Sequence, residues 1–129
     1  MRSIRRAWTL ARATFTRPTR GRPHDTSAGA WVTLGNPALV SLGAIVAFAT
    51  DSGPVAVANV TGSYYGFDDT CTHRGCSLAE GDLDGTVVTC ICHGSQFDAT
   101  TGAVQRGPAQ TPVRSYPVRV EGDHLQIQR

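Results

Sequence analysis

Two short runs decide most of what this chain can fold into. Cys71-Thr72-His73 and Cys90-Ile91-Cys92-His93 each place a thiol and an imidazole close together, as C-x-H and C-x2-H. Sixteen residues separate His73 from Cys90, so the fold has to bring two loops to one place. Soft thiolates suit iron–sulfur chemistry and imidazole suits iron, so Cys71, His73, Cys90 and His93 fit a cluster whose two irons differ in their ligands. Each run carries a glycine beside these residues, Gly75 and Gly94, read as points where backbone comes close to the bound group. A second cysteine in each run, Cys76 and Cys92, occupies what reads as a matched position.

Other uses of the same residues stay open on this reading. Four cysteines can form two disulfides in three pairings, which leaves the two histidines unexplained. Zinc takes mixed Cys and His sets, so the same four residues make a structural zinc module conceivable in chemical terms, although the C-x2-C knuckles usual in such sites are absent. A c-type haem needs C-x-x-C-H, and Cys90-Ile91-Cys92-His93 is one residue short. His24 and His124 lie in polar stretches and read as solvated surface residues.

The run Cys71-Thr72-His73-Arg74-Gly75-Cys76, followed by Cys90-Ile91-Cys92-His93-Gly94-Ser95, resembles the Rieske [2Fe–2S] family. Similarity extends through Val55–Asp69, Glu80–Gly85, Phe97-Asp98, Thr101-Gly102, Gly107-Pro108 and Tyr116–Gly122, about the last hundred residues. The resemblance implies Cys71, His73, Cys90 and His93 as cluster ligands, and Cys76–Cys92 as a disulfide. It implies a Rieske-type β sandwich or barrel with a small cluster-binding subdomain at about residues 69–108. Val55–Thr72 and Tyr116–Gly122 resemble oxygenase-type ferredoxins, which implies a one-electron carrier between a flavin-dependent reductase and a terminal oxygenase, with no nucleic-acid partner. The alternative within the family is a small subunit of a nitrite or arsenite enzyme.

Finer features of the family map onto single residues. Ser95 matches a serine whose hydroxyl raises the potential in high-potential members, whereas Phe97 stands where those members have tyrosine. One hydroxyl with the disulfide pair departs from both the high-potential and the oxygenase pattern, which implies an intermediate potential. Arg74 follows the first histidine where quinol-linked relatives have an apolar residue, and a charge there is costly to bury in a quinone pocket. Arg74, Ile91 and the nearby Asp68-Asp69 therefore read as a protein-docking rim. Pro108 resembles the family's proline loop beside the cluster.

The 129 residues give one domain on length, too few for a second domain with a mononuclear iron site. No run of 18 apolar residues is present, so no membrane helix is expected. Charge is uneven. Residues 1–29 hold seven arginines against one acid, Asp25, and residues 30–129 hold five arginines against nine acids, which makes them +6 and −4. The basic stretch reads as a disordered extension. Ile4, Trp8, Ala11 and Phe15 also fall near helical spacing, and Arg5-Arg6 lacks the apolar segment an export signal needs. With no recognisable signal, the cytoplasm is expected, although a disulfide prefers oxidising surroundings. All twelve basic residues are arginine, a bias that fits a bacterial, GC-rich genome.

The remaining chain reads as short strands between Gly-, Asp- and Pro-containing turns, an all-β pattern. Strands are expected at Trp31–Leu34, Ile45–Ala49, Val55–Val60, Ser63–Phe67, Val87–Ile91, Val113–Val120 and Leu125–Gln128, with a hairpin at Thr61-Gly62.

Overall fold

Val55-Ala56-Val57-Ala58-Asn59-Val60 is apolar at consecutive rather than alternate positions, so a strand made from it has to be covered on both faces. The computed structural model, which describes residues 29–129, shows this. All six residues are buried. Val57 packs with Val40 and Leu125 on one side, while Ala56, Ala58 and Val60 pack with Phe67, Val88 and Phe97 on the other. The alternation of Val and Ala therefore lets two layers close on one strand.

The strands among the described residues are β1 (Trp31–Gly35), β2 (Ile45–Phe48), β3 (Val55–Val60), β4 (Ser63–Asp68), β5 (Asp82–Asp84), β6 (Val87–Thr89), β7 (Gln96–Asp98), β8 (Val104–Arg106), β9 (Ser115–Tyr116), β10 (Val118–Glu121) and β11 (His124–Gln128). They form three antiparallel sheets, in the orders β1-β11-β10, β2-β3-β4-β9 and β5-β6-β7-β8. The all-β expectation holds, and short 3₁₀ turns at Pro37–Leu39 and Leu78–Glu80 are added to it.

The Thr61-Gly62 hairpin is present, with Val60 opposite Ser63. Both turn residues are left-handed, at φ 50° and 98°, the twist a two-residue hairpin turn requires. Buried Asn59 fixes it: its Oδ1 accepts from Gly62 N–H at 2.9 Å and its Nδ2 donates to the Val40 carbonyl at 3.0 Å.

Two expected strands differ from the structure. Val113–Val120 is not continuous: Pro117, with no N–H to donate, separates β9, which pairs with β4, from β10, which pairs with β11. Val87–Ile91 stops at Thr89, because Cys90 turns into a loop whose N–H bonds the Ser95 carbonyl. The tail features at Ile4, Arg5-Arg6, Trp8, Ala11, Phe15 and His24 lie outside the described residues. Among the described residues no helix is long and apolar enough to cross a membrane.

Candidate metal centre

The sheet β5-β6-β7-β8 carries both Cys/His runs at one end. The first loop, residues 71–76, enters from β4 and leaves into the 3₁₀ turn before β5; the second, residues 90–95, joins β6 to β7. The two loops repeat one hydrogen-bond pattern. Cys71 N–H donates to the Cys76 carbonyl at 2.8 Å and Cys90 N–H to the Ser95 carbonyl at 2.8 Å. Gly75 N–H donates back to Cys71 at 2.8 Å and Gly94 N–H to Cys90 at 3.1 Å.

This repeat corrects the expectation that Cys76 and Cys92 hold matched positions. Counted from the first cysteine of each loop, Cys76 is equivalent to Ser95, and Cys92 is equivalent to His73. The disulfide between Cys76 and Cys92 is present all the same, because it crosses the pseudo-symmetric pair of loops diagonally. Gly75 and Gly94 sit at φ +82° and +79°, left-handed backbone that glycine supplies without strain.

The loops sort their donors by depth. Cys71 and Cys90 are free thiols, each 3% exposed, in the same apolar cluster as Leu78, Val88 and Phe97. His73 is half-buried and His93 exposed, and their rings stand edge to face with centroids 5.0 Å apart. Burial pushes the Cys90 thiol up from its ordinary range, with the neighbouring Cys71 acting in the same direction. Partial desolvation holds His73 below the usual imidazole value, helped by His93 and by the Arg74 charge. Arg74 and Ile91 are both exposed on these loops, Ile91 by 63%.

Sequence reasoning missed the groups that hold the loops in place. Asp69, 4% exposed, accepts from Ser77 Oγ at 2.6 Å and from Ala79 N–H at 2.9 Å. Asp68 bonds Tyr116 Oη at 2.7 Å and lies 3.8 Å from Arg129. Asp69 is therefore not part of an exposed docking rim, because its buried carboxylate is spent on internal partners; Asp68, 35% exposed, is bonded to Tyr116 and keeps a surface edge. A third segment lies across the two loops: Thr72 Oγ donates to the Thr111 carbonyl, and Ala109 N–H donates to Ser95 Oγ at 3.0 Å. Gly107-Pro108 in that segment is a cis peptide. Ser95 and Phe97 are fully buried at the root of the second loop. An acid beside a ligand run was the sole local signal for Asp69; the long-range partners of Thr72 and Ser95 leave none.

The Rieske [2Fe-2S] domain model matches residues 30–117. The chain belongs to that family. Among relatives, the ferredoxin component of biphenyl 2,3-dioxygenase from Rhodococcus jostii is 35% identical over 85 residues, covering 66% of this chain and 79% of that protein. The Sphingomonas yanoikuyae B1 ferredoxin superposes with a TM-score of 0.73 at 36% identity, covering 78% of this chain and 99% of that one. A chain from the structure described as the complex of reduced oxygenase and oxidized ferredoxin in carbazole 1,9a-dioxygenase gives a TM-score of 0.72 at 31% identity, covering 76% of this chain and 92% of that one. Family membership specifies a Rieske-type [2Fe–2S] cluster, and the donor set fits it: two free buried thiols, two facing imidazoles, and the other two sulfurs withdrawn into a disulfide.

Proposed function

We propose that this protein is a Rieske ferredoxin, a one-electron carrier that receives electrons from a flavin-dependent reductase and delivers them to a terminal oxygenase. The observation that carries the reading is the depth sorting of the donors, with thiols buried and imidazoles at the surface. On this reading Cys71 and Cys90 hold one iron, His73 and His93 hold the other, and residues 69–108 form the cluster-binding subdomain. A cluster so held supplies storage and release of a single electron. The protein surrounds it with a dry floor, from Leu78, Val88 and Phe97, and leaves the histidine edge open to a docked partner.

Arg74 and Ile91 form the centre of that docking face. Among the described residues Arg74 has no ion-pair partner, so it is available to a carboxylate on the oxygenase, while Ile91 offers exposed apolar surface. The mildly acidic body, −4 over residues 30–129, supports steering to a basic rim around that contact. The relatives are ferredoxin components, which supports placement in the cytoplasm.

The test is anaerobic reconstitution followed by voltammetry. Two irons and two acid-labile sulfides per chain are expected, with a potential intermediate between the two ends of the Rieske range, which runs from about −150 to about +300 mV. A potential near the top of that range would move the protein to high-potential chemistry, and iron without sulfide would remove the cluster assignment. Arg74→Glu should slow electron delivery to the oxygenase most at low salt, where exposed charges are least screened. Unchanged delivery would take Arg74 out of the docking face.

A further inference from the structure

One arrangement of sulfurs is not used by the electron-carrier reading. The sulfur atoms of Cys76, Cys90 and Cys92 all lie within 4.8 Å of one another. Two of them are joined as the disulfide and the third is a free thiol. Cleaving the disulfide takes two electrons and two protons and yields two thiols. A dithiol supplies both as it is oxidised to its own disulfide, whereas a phosphine supplies the electrons as it becomes the phosphine oxide and water supplies the oxygen and the protons. Either way three neighbouring thiols are left. We propose that reduction of Cys76–Cys92 converts the two loops into a zinc site made by Cys76, Cys90 and Cys92.

The geometry asks for modest movement. Zinc–thiolate bonds of about 2.3 Å in a tetrahedron place sulfurs about 3.8 Å apart, so the Cys90 sulfur needs to close by roughly 1 Å at most, while the Cys76 and Cys92 sulfurs, about 2.05 Å apart when bonded, part by roughly 2 Å once the bond is cleaved. Cys92 is exposed and Cys76 half-buried, which gives the ion a path from solvent. Each loop is also held independently of the disulfide, by the Asp69–Ser77 bond and by the Ala109–Ser95 bond, so the site keeps its frame when the S–S bond opens. Thiolates are strong zinc ligands, and binding releases their protons.

The disulfide thus acts as a selectivity device, since while closed it withholds two soft ligands from stray divalent metals. Because Cys90 serves both sets, zinc held there excludes the cluster; this second half rests on the ligand assignment proposed above, and the zinc affinity itself does not.

The experiment uses the full chain without its cluster, with the disulfide intact or reduced by a phosphine that is then removed. Zinc is titrated against a chromophoric chelator, and cobalt(II) reports thiolate ligation through its sulfur-to-metal charge-transfer band. Even an outer-shell partner is worth roughly 10–100-fold in metal affinity, so gaining two direct ligands should tighten zinc binding by more than that. Cys76→Ser, under reducing conditions, should fall back towards the affinity of the disulfide-closed protein and weaken the cobalt band. Equal zinc affinity before and after reduction would overturn the proposal, because the Cys71, His73, Cys90 and His93 set is present in both states. So would a reduced-state affinity that Cys76→Ser leaves unchanged, or a β-sheet circular-dichroism signal that is lost on reduction and not restored by zinc. Iron and sulfide uptake by the disulfide-closed protein is measured separately, so failure of the carrier reading shows there and not here.

Discussion

At the scale of single residues, Ser95 carries more than its size suggests. It is fully buried, and its Oγ accepts the Ala109 N–H at 3.0 Å, which leaves the hydroxyl proton free to point at the centre. Ser95→Ala leaves the Ala109 N–H without its partner in a region 3% exposed, at a cost of about 1–3 kcal/mol. It should also lower the reduction potential, since hydrogen bonds to the sulfurs raise it. Denaturant titration and voltammetry on one sample read both effects, and a raised potential would contradict the assignment. Phe97→Tyr should act in the opposite direction on the potential, because the ring is buried in the cluster that contains Cys71 and Cys90. If the potential stays put and stability falls, the new hydroxyl has found no acceptor. The ligand candidates were legible in sequence because Cys and His are rare and their chemistry is specific to spacing. Asp69 was misread as surface because a carboxylate shows its burial only through partners, and Ser77 lies eight residues away.

At the scale of elements, legibility followed length. Val55–Val60 and Ser63–Asp68 are six residues each, and the sequence predicted both strands with the hairpin between them. β5, β7 and β8 are three residues each and mix Asp, Gln and Arg with one apolar side chain, so no periodicity reveals them. β5 and β7 pair with β6, which presents Val88 opposite Leu83 and Phe97, and β8 then pairs with β7. Gly81 is the constraint at the start of this sheet. A Cβ there would collide with the Thr89 carbonyl, immediately before Cys90. Gly81→Ala should therefore push β5 away from β6 and cost about 1–3 kcal/mol, as overpacking generally does. The displacement falls on the strand that feeds the second ligand loop, so the cluster's visible absorption should bleach faster in air than in the parent protein. Gly85→Ala controls for backbone freedom, since a Cβ there meets nothing within 4 Å although φ is +63°. Equal bleaching in the two variants would mean that turn strain, and not the close approach at Thr89, sets cluster lifetime.

Across the whole molecule, the last residue ties the sheets together. Arg129 donates to Thr50 Oγ1 and to the Gly53 carbonyl at 3.0 Å each, lies 3.8 Å from Asp68, and stacks over Tyr116 at 4.9 Å. Tyr116 in turn donates to Asp68 at 2.7 Å. The latch thus joins the turn before β3 to the ends of β4, β9 and β11, on the route by which β4 enters the first ligand loop. None of this is visible in sequence, because its members are separated by up to 79 residues. Burial, and then the hydrogen bond to Asp68, raise the Tyr116 phenol above its ordinary value of 10.0. A raised phenol means that the folded state holds its proton where the unfolded chain releases it. The resulting stability is complete below about pH 10 and is lost as pH rises through the folded value. Tyr116→Phe removes this dependence, so the stability gap between parent and variant should narrow from pH 9 to pH 11 in denaturant titrations. A gap that widened over that range would place the ionised phenolate, and not the neutral phenol, in the folded latch. That outcome would make Arg129 rather than Asp68 the dominant partner of Tyr116, and Arg129→Gln would then have to abolish the widening.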